Sequence, residues 1–187
     1  MTNIAILASY NGSALDSLVP ATIQGTLDIN IACVITNNTN ANVLNKAKQY
    51  NIPAYVINQK TFENPDERIC DVINSHNCTH VFLAGYMKKI APVISNSFNV
   101  INSHPALLPK FGGKGMYGRF VHEAVIKNNE THSGVTIHQV NENYDEGKIL
   151  LQKSLVIQSD ETVDSLEIKI KELEKIAIVE GIRLCLK

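Results

Sequence analysis

Five short apolar runs punctuate the first 104 residues, and their shape most constrains the fold. They are "NIAILAS" (Asn3–Ser9), "INIACVIT" (Ile29–Thr36), "AYVI" (Ala54–Ile57), "HVFLAG" (His80–Gly85) and "NVINSH" (Asn99–His104). Most are unbroken rather than alternating, as expected of strands buried on both faces of a parallel sheet. Helical patterns lie between them. "ALDSLVPATIQG" sets Leu15, Leu18 and Ile23 on one side, with Pro20 placed to shorten or kink the helix. "ANVLNKAKQY" follows an Asn-rich turn, "NNTN", expected to cap it. "PDERICDVINSH" opens with Pro65 and acids, good helix-start chemistry. "MKKIAPVIS" reads as a short helical piece. This alternation predicts an α/β fold: an open, mostly parallel twisted sheet with helices on both faces.

The second half has another rhythm. After a helix in "GRFVHEAVIKN", the runs "SGVTIHQV" and "KILLQKSLVI" flank a turn, "NENYDEG". They predict an antiparallel C-terminal edge. A long amphipathic helix follows from about Thr162, with Leu166, Ile170, Leu173 and Ala177 as its apolar stripe. With no repeat, linker or low-complexity tract, the chain is expected to form a single domain over 1–187.

Charge and hydropathy exclude several roles. The net charge is −1 over 187 residues, so no basic field exists to hold a nucleic acid. The apolar runs are too short to cross a bilayer, and no basic segment precedes the first of them. A cytoplasmic protein with no membrane or nucleic-acid partner is expected. Cys33, Cys70, Cys78 and Cys185 form no C-x-x-C pair and read as ordinary reduced residues. His76, His80, His104, His122, His132 and His138 offer no H-E-x-x-H, and "VHEAV" lacks a second His one turn on, so no metal is expected. G-x-S-x-G is absent as well.

In open α/β sheets ligands bind beyond the carboxyl ends of the strands. "YNGS", "GYMKK" and "NSHPALLP" fall there, and "NENYDEG" is placed to join them. "NGS" before a helix suits one phosphate, since Gly12 allows close backbone approach and the helix N-terminus attracts an anion. It equally suits a plain turn with Ser13 as the N-cap. It is not G-x-G-x-x-G, so no dinucleotide is indicated. Asn102 and His104 lie two apart in a strand and face one small volume, an amide donor beside a titratable imidazole. They also fit a capping Asn and a structural His, but Pro105 and Pro109 stiffen the segment. The carboxylate missing for proton handling has its best candidate in Asp145, which beside Gly147 also fits simple turn chemistry.

Across nearly its whole length the chain resembles the folate-dependent formyltransferases. The resemblance is carried by "ILASYNGSAL", "VFLAGYMKKIAP", and "NSHPALLPKFGGKGMYG" through "SGVTIHQVNENYDEGKIL". The N-G-S loop and the "FGGKGMYG" insert point to the glycinamide ribonucleotide branch, the phosphoribosylglycinamide formyltransferases of purine synthesis. The resemblance implies a Rossmann-like fold, with Asn102, His104 and Asp145 catalytic and 10-formyltetrahydrofolate as the formyl donor. It implies folate contacts at Met87, Lys88, Lys89 and Ile90, at Asn102, and at Asn141, Glu142, Asn143, Tyr144 and Asp145. The substrate phosphate falls to Gly12, Ser13 and Ala14, with further substrate contacts at Lys171 and Glu174. His138 is either a supporting residue or a core histidine. The loop Gly112–Gly118 is suited to close over the site and exclude water. As assembly states, a monomer and a homodimer are both compatible with the pattern.

Two positions depart from the family pattern. Tyr10 stands where Gly is frequent, and Ala14 stands where Asn is usual, leaving that work to backbone N–H groups. Hydrolytic and tRNA-formylating relatives are the near rivals, and both are expected to carry an added domain. A sugar-nucleotide formyltransferase is a third reading, given Ala14. A non-catalytic folate- or nucleotide-binding protein predicts a damaged trio, and the trio is whole.

Overall fold

β1 (Thr2–Leu7), the first apolar run, is an interior strand, paired in parallel with β2 (Ile29–Thr36) on one side and β4 (His80–Leu83) on the other. Ile4, Ile6 and Leu7 are 0% exposed, which explains a run with no polar alternation. Burying each such side chain contributes about 1.5–3 kcal/mol. The computed structural model describes residues 1–186 and divides into two compact units, Met1–Asn102 and the part from Ser103 onward.

In the first unit the strand order is β3-β2-β1-β4-β5, all parallel, with β3 at Ala54–Val56 and β5 running Asn99–His104 across the boundary between the units. The chain winds outward from β1 through β2 to β3, then returns to the other side of β1 with β4. The loops after β1 and β4 therefore leave the sheet at a topological switch point, the usual place for a ligand crevice.

The connecting helices are α1 (Leu15–Ile23), α2 (Val43–Gln49), α3 (Pro65–Ser75) and α4 (Pro92–Ser97). Pro20 sits inside α1 without ending it. α3 has Pro65 in its first turn with Asp66 and Glu67, as its sequence chemistry predicts. Three local expectations change. The N-cap of α1 is Ala14 with no side-chain bond, so Ser13 does not cap it. The Asn37–Asn40 turn does not cap α2 either: the residue at its N-cap is Asn42, with no side-chain bond. Helix α4 starts only at Pro92, so the Met87–Ile90 segment is not helical, and the residue before that proline, Ala91, is extended.

The second unit holds α5 (Arg119–Lys127), an antiparallel pair of β6 (His132–Gln139) and β7 (Ile149–Val156), and α6 (Val163–Cys185). β6 is buried from Ser133 to His138, whereas β7 alternates between more and less exposed positions. α6 lies along both strands through Leu166, Ile170 and Ala177, each at most 1% exposed. Its start is a capping box: Thr162 Oγ1 accepts from the Ser165 N–H at 3.1 Å, and Ser165 Oγ accepts from the Thr162 N–H at 3.0 Å. Parallel strands with an antiparallel pair, and helices between them, make the α/β class expected from the sequence.

The β6–β7 turn needs its glycine for space. A Cβ on Gly147 would sit 1.7 Å from the Gln139 carbonyl oxygen. Backbone must move to admit one, so Gly147→Ala is expected to destabilise the fold by about 1–3 kcal/mol. Urea unfolding checks this, and an unchanged midpoint contradicts the packing described.

Candidate active site

His104 ends β5 and is 3% exposed. Its Nε2 lies 2.8 Å from the Phe111 carbonyl oxygen, which can only accept, so Nε2 carries a proton. Its Nδ1 faces Asp145 Oδ2 at 3.7 Å. His138 on β6 does the same from another side: Nδ1 donates to the Gln139 carbonyl at 2.9 Å, and Nε2 lies 3.5 Å from Asp145 Oδ1. Asp145 thus sits between two imidazoles, each turning toward it the nitrogen that is protonated only in the cation. The Gly113 N–H donates to Asp145 Oδ2 at 2.9 Å, so the glycine-rich loop begins on this carboxylate. Asp145 holds a left-handed backbone (φ +58°), a conformation open to Asp and Asn.

The electrostatics follow from this geometry. Burial pushes the His104 pKa down, against the raising effects of the Asp145 carboxylate and the Phe111 carbonyl, with His138 adding to the fall. The net direction is down. Burial pushes the Asp145 carboxyl up, but His138, the Gly113 N–H and His104 together hold it below the usual carboxylate range. His138, weighed from sequence as supporting or core, is therefore an electrostatic partner of Asp145.

The His104 shift has a consequence for stability. Its folded pKa lies below the unfolded value near 6.5, so the unfolded chain binds more protons in that range. The contribution is present above about pH 6.5 and is lost as pH falls through the folded pKa. In His104→Gln the decline of the thermal midpoint between about pH 7 and pH 5 is expected to be shallower than in the wild type; an equal or steeper decline contradicts the burial argument.

Asn102 lies two residues before His104 in β5, half-buried, and pairs with Leu83 in the β4–β5 ladder. Lys171 on α6 is exposed and bound to Glu167 at 2.6 Å, one turn earlier. Glu174, on the next turn, accepts from Ser103 Oγ at 2.5 Å, and burial raises its pKa against the lowering effects of Ser103 and Lys171. Ser103 gave no functional signal in the sequence, because its partner lies 71 residues away. His122 on α5, weighed in the sequence only as a metal ligand, is 3% exposed and its Nδ1 has no hydrogen-bond partner. In the β6–β7 turn, Asn141, Glu142, Asn143 and Tyr144 are exposed, with Asn141 Oδ1 accepting from the Asn143 N–H at 2.9 Å.

In the first unit, Gly12 has φ +55° and is packed so closely that a Cβ would lie 2.3 Å from Val43 Cγ2. Only glycine fits. The Gly12 and Ser13 carbonyls accept from the Leu15 and Asp16 N–H groups, which aims the loop's carbonyls into α1. Ser13 is exposed and Ala14 is 1% exposed, so at Ala14 only the backbone is available to an anion. After β4, Met87, Lys88 and Lys89 are exposed and Ile90 turns inward at 5%. Among the described residues no helix is long and apolar enough to cross a membrane, and no group of three His, Cys, Asp or Glu is placed to hold a metal.

A buried imidazole facing a carboxylate is suited to proton transfer. Comparison with known proteins gives the family. The family model described as formyl transferase matches residues 2–182. The phosphoribosylglycinamide formyltransferase of Haemophilus influenzae is 36% identical over 179 residues, covering 93% of this chain and 82% of that protein. The Bacillus subtilis protein of the same name is 30% identical, covering 93% and 89%. The crystal structure of phosphoribosylglycinamide formyltransferase from Bacillus halodurans superposes with a TM-score of 0.90 at 28% identity, covering 100% of this chain and 96% of that one. With the family model spanning both units and relatives of one name matching along nearly all of it, the chain belongs to the formyl transferase family and is an enzyme of its phosphoribosylglycinamide formyltransferase group.

Proposed function

We propose that the chain transfers the formyl group of 10-formyltetrahydrofolate to the amine of glycinamide ribonucleotide, in the cytoplasm, as one formyltransferase domain. The observation that carries this reading is the Asp145 carboxylate held between His104 at 3.7 Å and His138 at 3.5 Å. The relatives' printed name supplies the substrate class.

The neutral amine attacks the formyl carbon, forming a C–N bond and placing negative charge on the formyl oxygen. The Asn102 amide and the His104 N–H stabilise that charge. In neutral His104 the one N–H, on Nε2, is held by the Phe111 carbonyl, so the formyl oxygen must share or displace that acceptor to be stabilised by it. Asp145 favours the imidazolium, and with it the passage of a proton, through water, from the attacking amine to N10 of the folate as the old C–N bond breaks. His138 helps keep Asp145 ionised through this step. The loop that begins at Gly113 excludes bulk water, which limits hydrolysis of the donor.

The folate is assigned to Met87, Lys88, Lys89 and Ile90, and to Asn102 and Asn141–Asp145. The phosphate is assigned to the backbone of Gly12, Ser13 and Ala14, and the rest of the ribonucleotide to Lys171 and Glu174. Lys171 is bound to Glu167, so a substrate anion must share or displace that partner. Lys171→Ala is expected to raise the ribonucleotide Kd several-fold and leave the folate Kd within about twofold, since an exposed ion pair contributes under about 1 kcal/mol. Calorimetric titration of each ligand checks this, and the reverse order of effects contradicts the assignment of α6.

Mass analysis of the ribonucleotide after incubation with both ligands tests the reaction itself. A formyl group on its amine nitrogen is the expected product. Unmodified ribonucleotide overturns the reading.

A further inference from the structure

We infer that Ser9 is a positioning residue that couples the two ligand segments of the first unit, tying the ribonucleotide loop to the donor segment. The inference rests on the assignments made under the proposed function. Ser9 follows β1 directly and is 2% exposed. All of its hydrogen-bonding groups are used. Its N–H donates to the Gly85 carbonyl at 3.2 Å, and its own carbonyl accepts from Asn38 Nδ2 at 3.2 Å. Its hydroxyl donates to Asn37 Oδ1 at 2.6 Å and accepts from the Met87 N–H at 2.8 Å.

The hydroxyl has one proton. Asn37 takes it at short range, which fixes the rotor and aims a lone pair at Met87. Met87 opens the segment assigned to the folate, and Gly12, three residues after Ser9, opens the loop assigned to the phosphate. The two loops leave the sheet on either side of the β1–β4 switch point, and Ser9 bridges them twice, through Gly85 and Met87. Each loop turns on a glycine in the left-handed region, Gly12 (φ +55°) and Gly85 (φ +71°). A buried, fully bonded residue between the two loops passes order from one to the other. Ordering the phosphate loop steadies the Met87 amide, and ordering the folate segment steadies the loop, because such coupling is reciprocal.

The test uses the full chain and two measurements. Hydrogen exchange of the Met87 amide is followed with glycinamide ribonucleotide alone, without folate. Slower exchange is expected on binding; binding with unchanged Met87 exchange overturns the proposal. The ribonucleotide Kd is then measured with and without saturating tetrahydrofolate, which carries no formyl group to transfer. A tightening of about fivefold or more is expected in the wild type, falling toward unity in Ser9→Ala. Asn37→Ala, which keeps the Ser9 hydroxyl but frees the rotor that aims it at Met87, is expected to lose part of the coupling and serves if Ser9→Ala does not fold. Full coupling retained in the variant that folds, with or without a loss of thermal stability, makes Ser9 merely structural and overturns the proposal. Ribonucleotide that does not bind at all overturns the proposed function, and this inference with it.

Discussion

Asn102→Ala is expected to lower turnover by about a hundred-fold or more while both ligands still bind, the usual cost of removing one oxyanion donor. Asn102 is in register with Leu83 at the end of the β4–β5 ladder, so its backbone is held whatever its side chain does. Its neighbour two residues on is His104, and alternation along a strand gives the two side chains one face. The effect belongs to the transition state, where the formyl oxygen carries charge, and so falls on kcat more than on binding. Single-turnover rates and ligand Kd values, measured on the same variant, separate the two. Turnover near the wild-type level removes Asn102 from the mechanism.

Asp145→Asn is the second large effect, a loss of about a hundred-fold or more in rate, with a signature in pH that a packing defect does not share. Asparagine keeps the size of the side chain and tolerates the left-handed backbone at this position (φ +58°), so the turn need not move. The charge is lost. Since the Asp145 carboxylate raises the His104 pKa against burial, its removal leaves burial unopposed by that charge, and the His104 pKa falls further. The inflection assigned to His104, in the pH–rate profile or in an imidazole nitrogen titration, therefore moves to lower pH. An unmoved or upward-moving inflection contradicts the role given to Asp145.

Much of this was readable in the residues, for local reasons. The strand "NVINSH" has the bounds of β5, and "PDERIC" starts a helix, because burial on both faces and first-turn chemistry leave marks over a few neighbours. The long helix begins where Thr162 announces it. Expectations failed where a single local preference was trusted. Ser13 and the asparagines of the Asn37–Asn40 turn are good cap residues by type, yet none of them caps its helix. The pattern of "MKKIAPVIS" predicts a helical piece, but the extended Ala91 before Pro92 delays the helix.

The candidate site divides in the same way. Asn102, His104 and Asp145 stood out because each lies at a strand end or turn with stiff or special neighbours. The contacts that organise them did not stand out. His138 reaches Asp145 across a turn, Ser103 reaches Glu174 over 71 residues, and Ser9 reaches Met87 over 78. Hydroxyls and imidazoles of this kind look like core filler until the fold supplies their partners. In the loop assigned to the phosphate, Ala14 is 1% exposed, so its side chain packs and only its backbone is left to a ligand.

The most direct measurement is the release of tetrahydrofolate from 10-formyltetrahydrofolate, with and without glycinamide ribonucleotide. The account predicts release only when the ribonucleotide is present. Equal release in its absence makes the protein a hydrolase, and no release in either case moves the acceptor to another amine, with amino-sugar nucleotides the first to try; either result contradicts the account.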